Sequence, residues 1–153
     1  MKHWLFKSEP GTYGIDHLAK DKRTAWTGIR NYQARNFMRD EMRSGDRAFF
    51  YHSSCEEPGI VGIVEVRGGA YPDETQFDRK SRQYDAAATR DQPRWFNVDV
   101  KFVKKTRPVG LAELRARPEL KNMQVLKRGN RLSITPVTSG EWECVMRLLG
   151  EKA

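Results

Sequence analysis

The sequence predicts an α+β domain: a small β-barrel or strongly curved mixed sheet flanked by helices. Three observations predict it. Short strand-like runs alternate with turn signals through the middle of the chain. Helical patterns with start signals stand near both ends, after Asn31 and after Thr138. No repeat, low-complexity tract or shift in composition divides the 153 residues, so 1–153 reads as a single domain. A chain of that length buries roughly 68–70% of its unfolded surface and folds without staples.

Residues 2–7 (Lys-His-Trp-Leu-Phe-Lys) read as a first strand, stopped by Pro10-Gly11. Tyr13 to Ala19 has Ile15, Leu18 and Ala19 on one helical face. A stronger helix is expected from Tyr32 to Met42, capped by Asn31 and ended by Gly45. Its apolar stripe is Ala34, Phe37, Met38 and Met42, and Arg35, Arg39 and Arg43 make a basic stripe at i, i+4, i+8. Strands follow at 46–52 and 59–67, then a polar stretch over 68–94 that reads as a long surface excursion. In the strand at 95–105, Phe96, Val98, Val100 and Phe102 share one face. Trp95, Asn97, Asp99 and Lys101 share the other, which reads as the polar one. A short helix at 111–116 and a strand at 131–137 precede the last helix. There Thr138 and Glu141 form a capping box, and Trp142, Val145, Met146 and Leu149 fall at i, i+3, i+4, i+7.

Composition narrows the function. Twenty-eight Lys and Arg against twenty Asp and Glu leave a net charge of +8. Such an excess points to nucleic acid or an acidic protein as partner. No window approaches 18 uninterrupted apolar residues, which excludes a spanning helix and leaves no membrane partner in view. No secretory leader is apparent at Met1–Pro10, and two cysteines, Cys55 and Cys144, fit a reducing compartment. The expected location is cytoplasmic, nucleoid-associated in a bacterium or nuclear in a eukaryote.

Enzyme signatures are scarce. The chain has neither a P-loop nor a Gly-x-Gly-x-x-Gly turn. His3, His17 and His52 lie far apart, and no Cys-x-x-Cys occurs, so neither metal nor cofactor is expected. Tyr51-His52-Ser53 has residue types suited to base-activated attack, but strand neighbours face opposite sides. Trp4 and Trp142 fit core patterns. Trp26 lies outside any apolar period and Trp95 on a polar face, each flanked by Arg or Lys. Aromatics among cations suit a platform that stacks a base while the cations hold phosphates.

The runs Trp4-Leu-Phe-Lys-Ser-Glu-Pro10 and Trp26-Thr-Gly-Ile-Arg-Asn-Tyr-Gln-Ala-Arg35 strongly resemble the opening of the EVE domain family. Gly45-Asp46, Phe50-Tyr51-His52-Ser53, Gly59-Ile-Val-Gly62, Ala70-Tyr-Pro-Asp73, Pro93-Arg-Trp95 and Arg131-Leu-Ser133 extend the likeness over nearly the whole chain. The segment 82–92 departs from the Pro- and Tyr-rich stretch of that family. The resemblance implies a PUA-like fold related to YTH domains, whose members recognise a modified base in RNA or DNA without chemistry. The base pocket it implies comprises Lys7, Ser8, Trp26, Gly28, Ile29, Asn31, Tyr51, His52, Ser53, Trp95, Leu132 and Ser133. Phosphate contacts are expected from Arg30, Arg35, Arg39, Arg94 and Arg131. Two other readings stay open: a nucleotide-acting hydrolase or transferase built on Tyr51-His52-Ser53, and a basic protein-interaction module.

Overall fold

A computed structural model describes residues 1–152. Its centre is one six-stranded mixed sheet in the order β2-β5-β4-β3-β1-β6. The strands are β1 (His3–Ser8), β2 (Arg23–Ala25), β3 (Arg47–His52), β4 (Gly59–Pro72), β5 (Phe96–Gly110) and β6 (Ile134–Val137). Strand β1 pairs parallel with β3 and antiparallel with β6, and the remaining ladders are antiparallel. Among the described residues β2 and β6 are edges paired on one side only, so the sheet is open: the curved mixed sheet of the two expected forms, not the barrel. Register shifts at Phe50/Tyr51 and at three places between β4 and β5 break the ladders. Irregularities of this kind bend and twist strands, curving a sheet without closing it.

Period-two alternation sends side chains into two cores. Trp4, Phe6, Ala48 and Phe50 join Ile15, Leu18, Trp26 and Met38 on one face. Leu5, Phe49 and Tyr51 join Leu114, Trp142 and Val145 on the other. Helix α5 (Ser139–Leu149) covers the second face and opens as expected: Thr138 Oγ1 accepts the Glu141 amide at 3.2 Å, and the Glu141 carboxylate accepts the Thr138 amide at 2.9 Å. Helices α1 (Pro10–Tyr13) and α2 (Ile15–Asp21) replace the single helix expected over 13–19, with Gly14 between them in extended backbone. A short α4 (Leu111–Arg115) follows β5.

Two expectations are corrected. Helix α3 (Tyr32–Asn36) keeps its Asn31 cap, whose side chain accepts the Ala34 amide, but residues 37–41 are wound as a π turn. The extra residue per turn breaks the 3.6 period, so Arg35, Arg39 and Arg43 do not form one regular stripe. The second correction concerns Trp95, which lies just before β5 and is buried, as is Asn97. The excursion over 73–95 covers what alternation alone reads as a solvent face. Buried Gln76 closes the excursion's ends: its amide nitrogen donates to the Asp73 and Trp95 carbonyls at 2.8 and 2.7 Å. Its amide oxygen accepts the Arg94 and Trp95 amides. Among the described residues no helix is long and apolar enough to cross a membrane.

Candidate functional site

Trp26 immediately follows β2, donating its amide to the Val98 carbonyl at 2.9 Å. Phe6 lies against its ring at 5.1 Å, and Phe50 meets it edge-on at 5.7 Å and 90°. Trp26 is 8% exposed and lines a cavity of about 480 Å³. That volume lies in the range of roughly 300–1,000 Å³ typical of small-molecule sites. The end of β1 supplies Lys7, Ser8 and Glu9 to its wall, and α1 supplies Thr12 and Tyr13. Thr24 to Ile29 make the opposite side, and Gln83 reaches in from the excursion.

The turn after Trp26 holds this wall in place. Gly28 has φ +85°, a left-handed conformation that costs glycine least. Its amide donates to buried Asp73 Oδ2 at 2.8 Å. Arg30 completes the tie: its guanidinium donates to Asp73 Oδ2 at 3.2 Å, to Thr75 Oγ1 at 3.0 Å and to the Gln83 carbonyl at 2.7 Å. Burial alone pushes the Asp73 carboxyl up; hydrogen bonds from Thr75, the Gly28 amide and Arg30 outweigh it and hold it below the ordinary carboxylate value.

Rim groups differ in character. Burial lowers the Lys7 ammonium pKa, and its Nζ lies 3.5 Å from the Asn130 carbonyl. Ser8 Oγ donates to the Tyr13 carbonyl at 2.5 Å. Burial and a hydrogen bond to Asp21 push the Tyr13 phenol up to about 12, so it stays neutral at physiological pH. The wall thus combines aromatic and aliphatic surface with hydroxyls, an amide, a carboxylate and one ammonium. That mixture suits a flat heterocycle with donors and acceptors on its edge.

Lys7, Ser8, Trp26, Gly28 and Ile29 are the expected pocket residues that meet here. The others do not line the cavity. Asn31 is exposed and caps α3. Tyr51 packs in the second core. His52 Nε2 accepts the Ile15 amide at 3.1 Å, and burial lowers its pKa. Ser53 and Ser133 bracket β1 through backbone bonds, Ser53 N–H to the Ser8 carbonyl and Lys7 N–H to the Ser133 carbonyl. The Leu132 amide donates to Asn130. Trp95 stacks on exposed Tyr32 at 4.8 Å, and its indole N–H donates to Asp85 at 2.7 Å. Among the basic candidates, Arg35 donates to Asn36 and to the Arg94 carbonyl, and Arg39 pairs with Asp40. Arg94 and Arg131 are exposed. Glu9, Thr12, Tyr13, Thr24, Ala25, Thr27 and Gln83 also form the wall, beyond the residues expected from the sequence. Glu9, Ala25 and Thr27 adjoin residues already singled out, whereas nothing in the sequence marks Gln83.

Fold and site together define an α+β domain whose open mixed sheet carries an aromatic-walled pocket beside β1. The chain belongs to the EVE domain family, whose profile matches residues 2–148. Thymocyte nuclear protein 1 of Gallus gallus is 45% identical over 98% of this chain and 69% of its own length. A crystal structure of the human THYN1 protein in complex with 5-methylcytosine-containing DNA superposes with a TM-score of 0.91. It is 42% identical and each chain is covered in full, at 100%. A hypothetical protein from Leishmania major has a TM-score of 0.93 at 43% identity, covering 98% of this chain and 95% of its own.

Proposed function

We propose that this protein reads a modified nucleobase in DNA or RNA, holding the base swung out of its strand in the Trp26 cavity. The observation that carries the reading is the cavity itself: about 480 Å³, walled by a tryptophan and rimmed by short polar groups. Swinging a base out costs a few kcal/mol, which stacking of roughly 1–3 kcal/mol offsets together with edge hydrogen bonds. The likeness to a human protein seen with 5-methylcytosine-containing DNA supports that class of ligand. A methyl group buried against an apolar wall adds on the order of 0.8 kcal/mol, about a fourfold preference.

The reading includes no chemistry and needs no cofactor. Ring Nε2 of His52 is engaged by a backbone amide, which leaves it badly placed to activate Ser53. A nucleic-acid ligand locates the protein with the cell's nucleic acid, in bacterial cytoplasm or nucleoid or in a eukaryotic nucleus. The test is a binding screen across oligonucleotides carrying 5-methylcytosine and other modified bases, beside a turnover assay on the same substrates. Selective binding without turnover supports the reading; binding blind to every modification overturns it.

A further inference from the structure

Three of the five arginines expected to contact phosphate already have hydrogen-bond partners within the chain. Arg30 donates to Asp73, Thr75 and Gln83, Arg35 to Asn36 and the Arg94 carbonyl, and Arg39 to Asp40. Two other basic segments sit at the cavity. The loop 127–131 (Lys-Arg-Gly-Asn-Arg) touches the wall where the Lys7 ammonium meets the Asn130 carbonyl. The segment 79–82 (Arg-Lys-Ser-Arg) immediately precedes Gln83, which reaches into the same cavity.

Lys127, Arg128, Arg131, Arg79, Lys80 and Arg82 are all exposed. Among the described residues none of the six forms an ion pair. The carboxylates nearest the second segment have other partners: Asp78 accepts the Lys80 amide, and Asp85 accepts the Trp95 indole N–H. Unpaired cations in two segments that each adjoin the cavity wall form the electrostatic footprint of a polyanion bound there.

We infer that the phosphate backbone on either side of the bound base runs across the cavity mouth between segments 79–82 and 127–131, and not along the Arg35–Arg39 face. This rests on the base-reading proposal for the choice of ligand. Each segment neutralises phosphates on one side of the swung-out nucleotide, while the wall reads the base.

The test uses three multiple variants of the whole chain. One carries Arg79→Gln, Lys80→Gln and Arg82→Gln; one carries Lys127→Gln, Arg128→Gln and Arg131→Gln; the control carries Arg35→Gln and Arg39→Gln. Affinity for an oligonucleotide containing 5-methylcytosine, and for its unmodified counterpart, is measured from low to high salt. Both triple variants should lower the slope of log affinity against log salt by about 0.7–0.9 per contact removed, leaving the ratio between the two oligonucleotides unchanged. Thermal unfolding confirms that the exposed substitutions leave the fold intact. Parental slopes in both triple variants, or a drop confined to the control, overturn the inference. If the parent binds but ignores the modification, base reading fails while the slopes still decide the phosphate path. Absence of any binding by the parent ends both.

Discussion

The amide of Gly28 lies 2.8 Å from Oδ2 of Asp73, 45 residues further along, and this bond fastens the turn behind Trp26 to the excursion that carries Gln83. The turn behind Trp26 and the segment that carries Gln83 therefore depend on one buried carboxylate.

Replacing Asp73 with Ala leaves the Gly28 and Thr75 amides without their acceptor and deprives the Arg30 guanidinium of its carboxylate partner. Loss of one partner from a buried ionic cluster typically costs about 3–5 kcal/mol, and partial exposure of Arg30 places the value near the lower end. Urea unfolding measures it. A cost under about 1 kcal/mol would show that the bond does not fasten the turn.

The same carboxylate makes an acid signature. Its folded pKa is depressed, so its contribution is present above the unfolded value of 3.8 and is lost as pH falls through that value to the folded one. Asp73→Asn should unfold more easily at neutral pH and lose less stability than the parent between pH about 4 and 2. Parallel acid profiles for the two proteins would contradict this.

His52 predicts a second, separate dependence. Its folded pKa lies below 6.5 because burial disfavours the charged ring, and an imidazolium cannot accept the Ile15 amide. The unfolded chain thus binds the extra proton, and stability falls as pH drops from about 7 through 6.5 toward the folded value. His52→Gln keeps an acceptor and does not titrate, so its stability should fall less steeply between pH 7 and 5. His3, also lowered by burial, leaves a residual slope. An undiminished slope in the variant would contradict the assignment.

Trp95 has the burial of a structural residue. It is 6% exposed, stacked on Tyr32 and bonded to Asp85. Trp95→Ala should cost about 3–5 kcal/mol, comparable with Trp142→Ala, in thermal or urea unfolding. A cost below about 1 kcal/mol would return Trp95 to the list of free platform residues.

The elements that bury a regular face were legible in the sequence. The Thr138–Glu141 box and the Trp142, Val145, Met146, Leu149 spacing led directly to α5. Strand β1 and the Asn31 cap followed from equally local signals. What escaped depends on distant segments meeting. The alternation around Trp95 and Asn97 is genuine, but Gln76 and the excursion cover the face it leaves polar. The π turn at 37–41 has no composition signal, so the arginine stripe looked regular. Trp26 stood out because no period claimed it; the Gln83 carbonyl is held by Arg30, itself tied to Asp73, a long-range arrangement that no local pattern announces.

Blocking the cavity tests the central claim most directly. Thr27 is exposed and lies on the cavity wall, so Thr27→Trp places an indole there without disturbing either core. Parent and variant are titrated with one oligonucleotide carrying 5-methylcytosine and with its unmodified counterpart, alongside thermal unfolding. The midpoint of unfolding should be unchanged, with the parent's preference, about fourfold for a buried methyl group, collapsing to parity in the variant. A variant that folds normally and keeps the full preference would show that the modified base is read somewhere else.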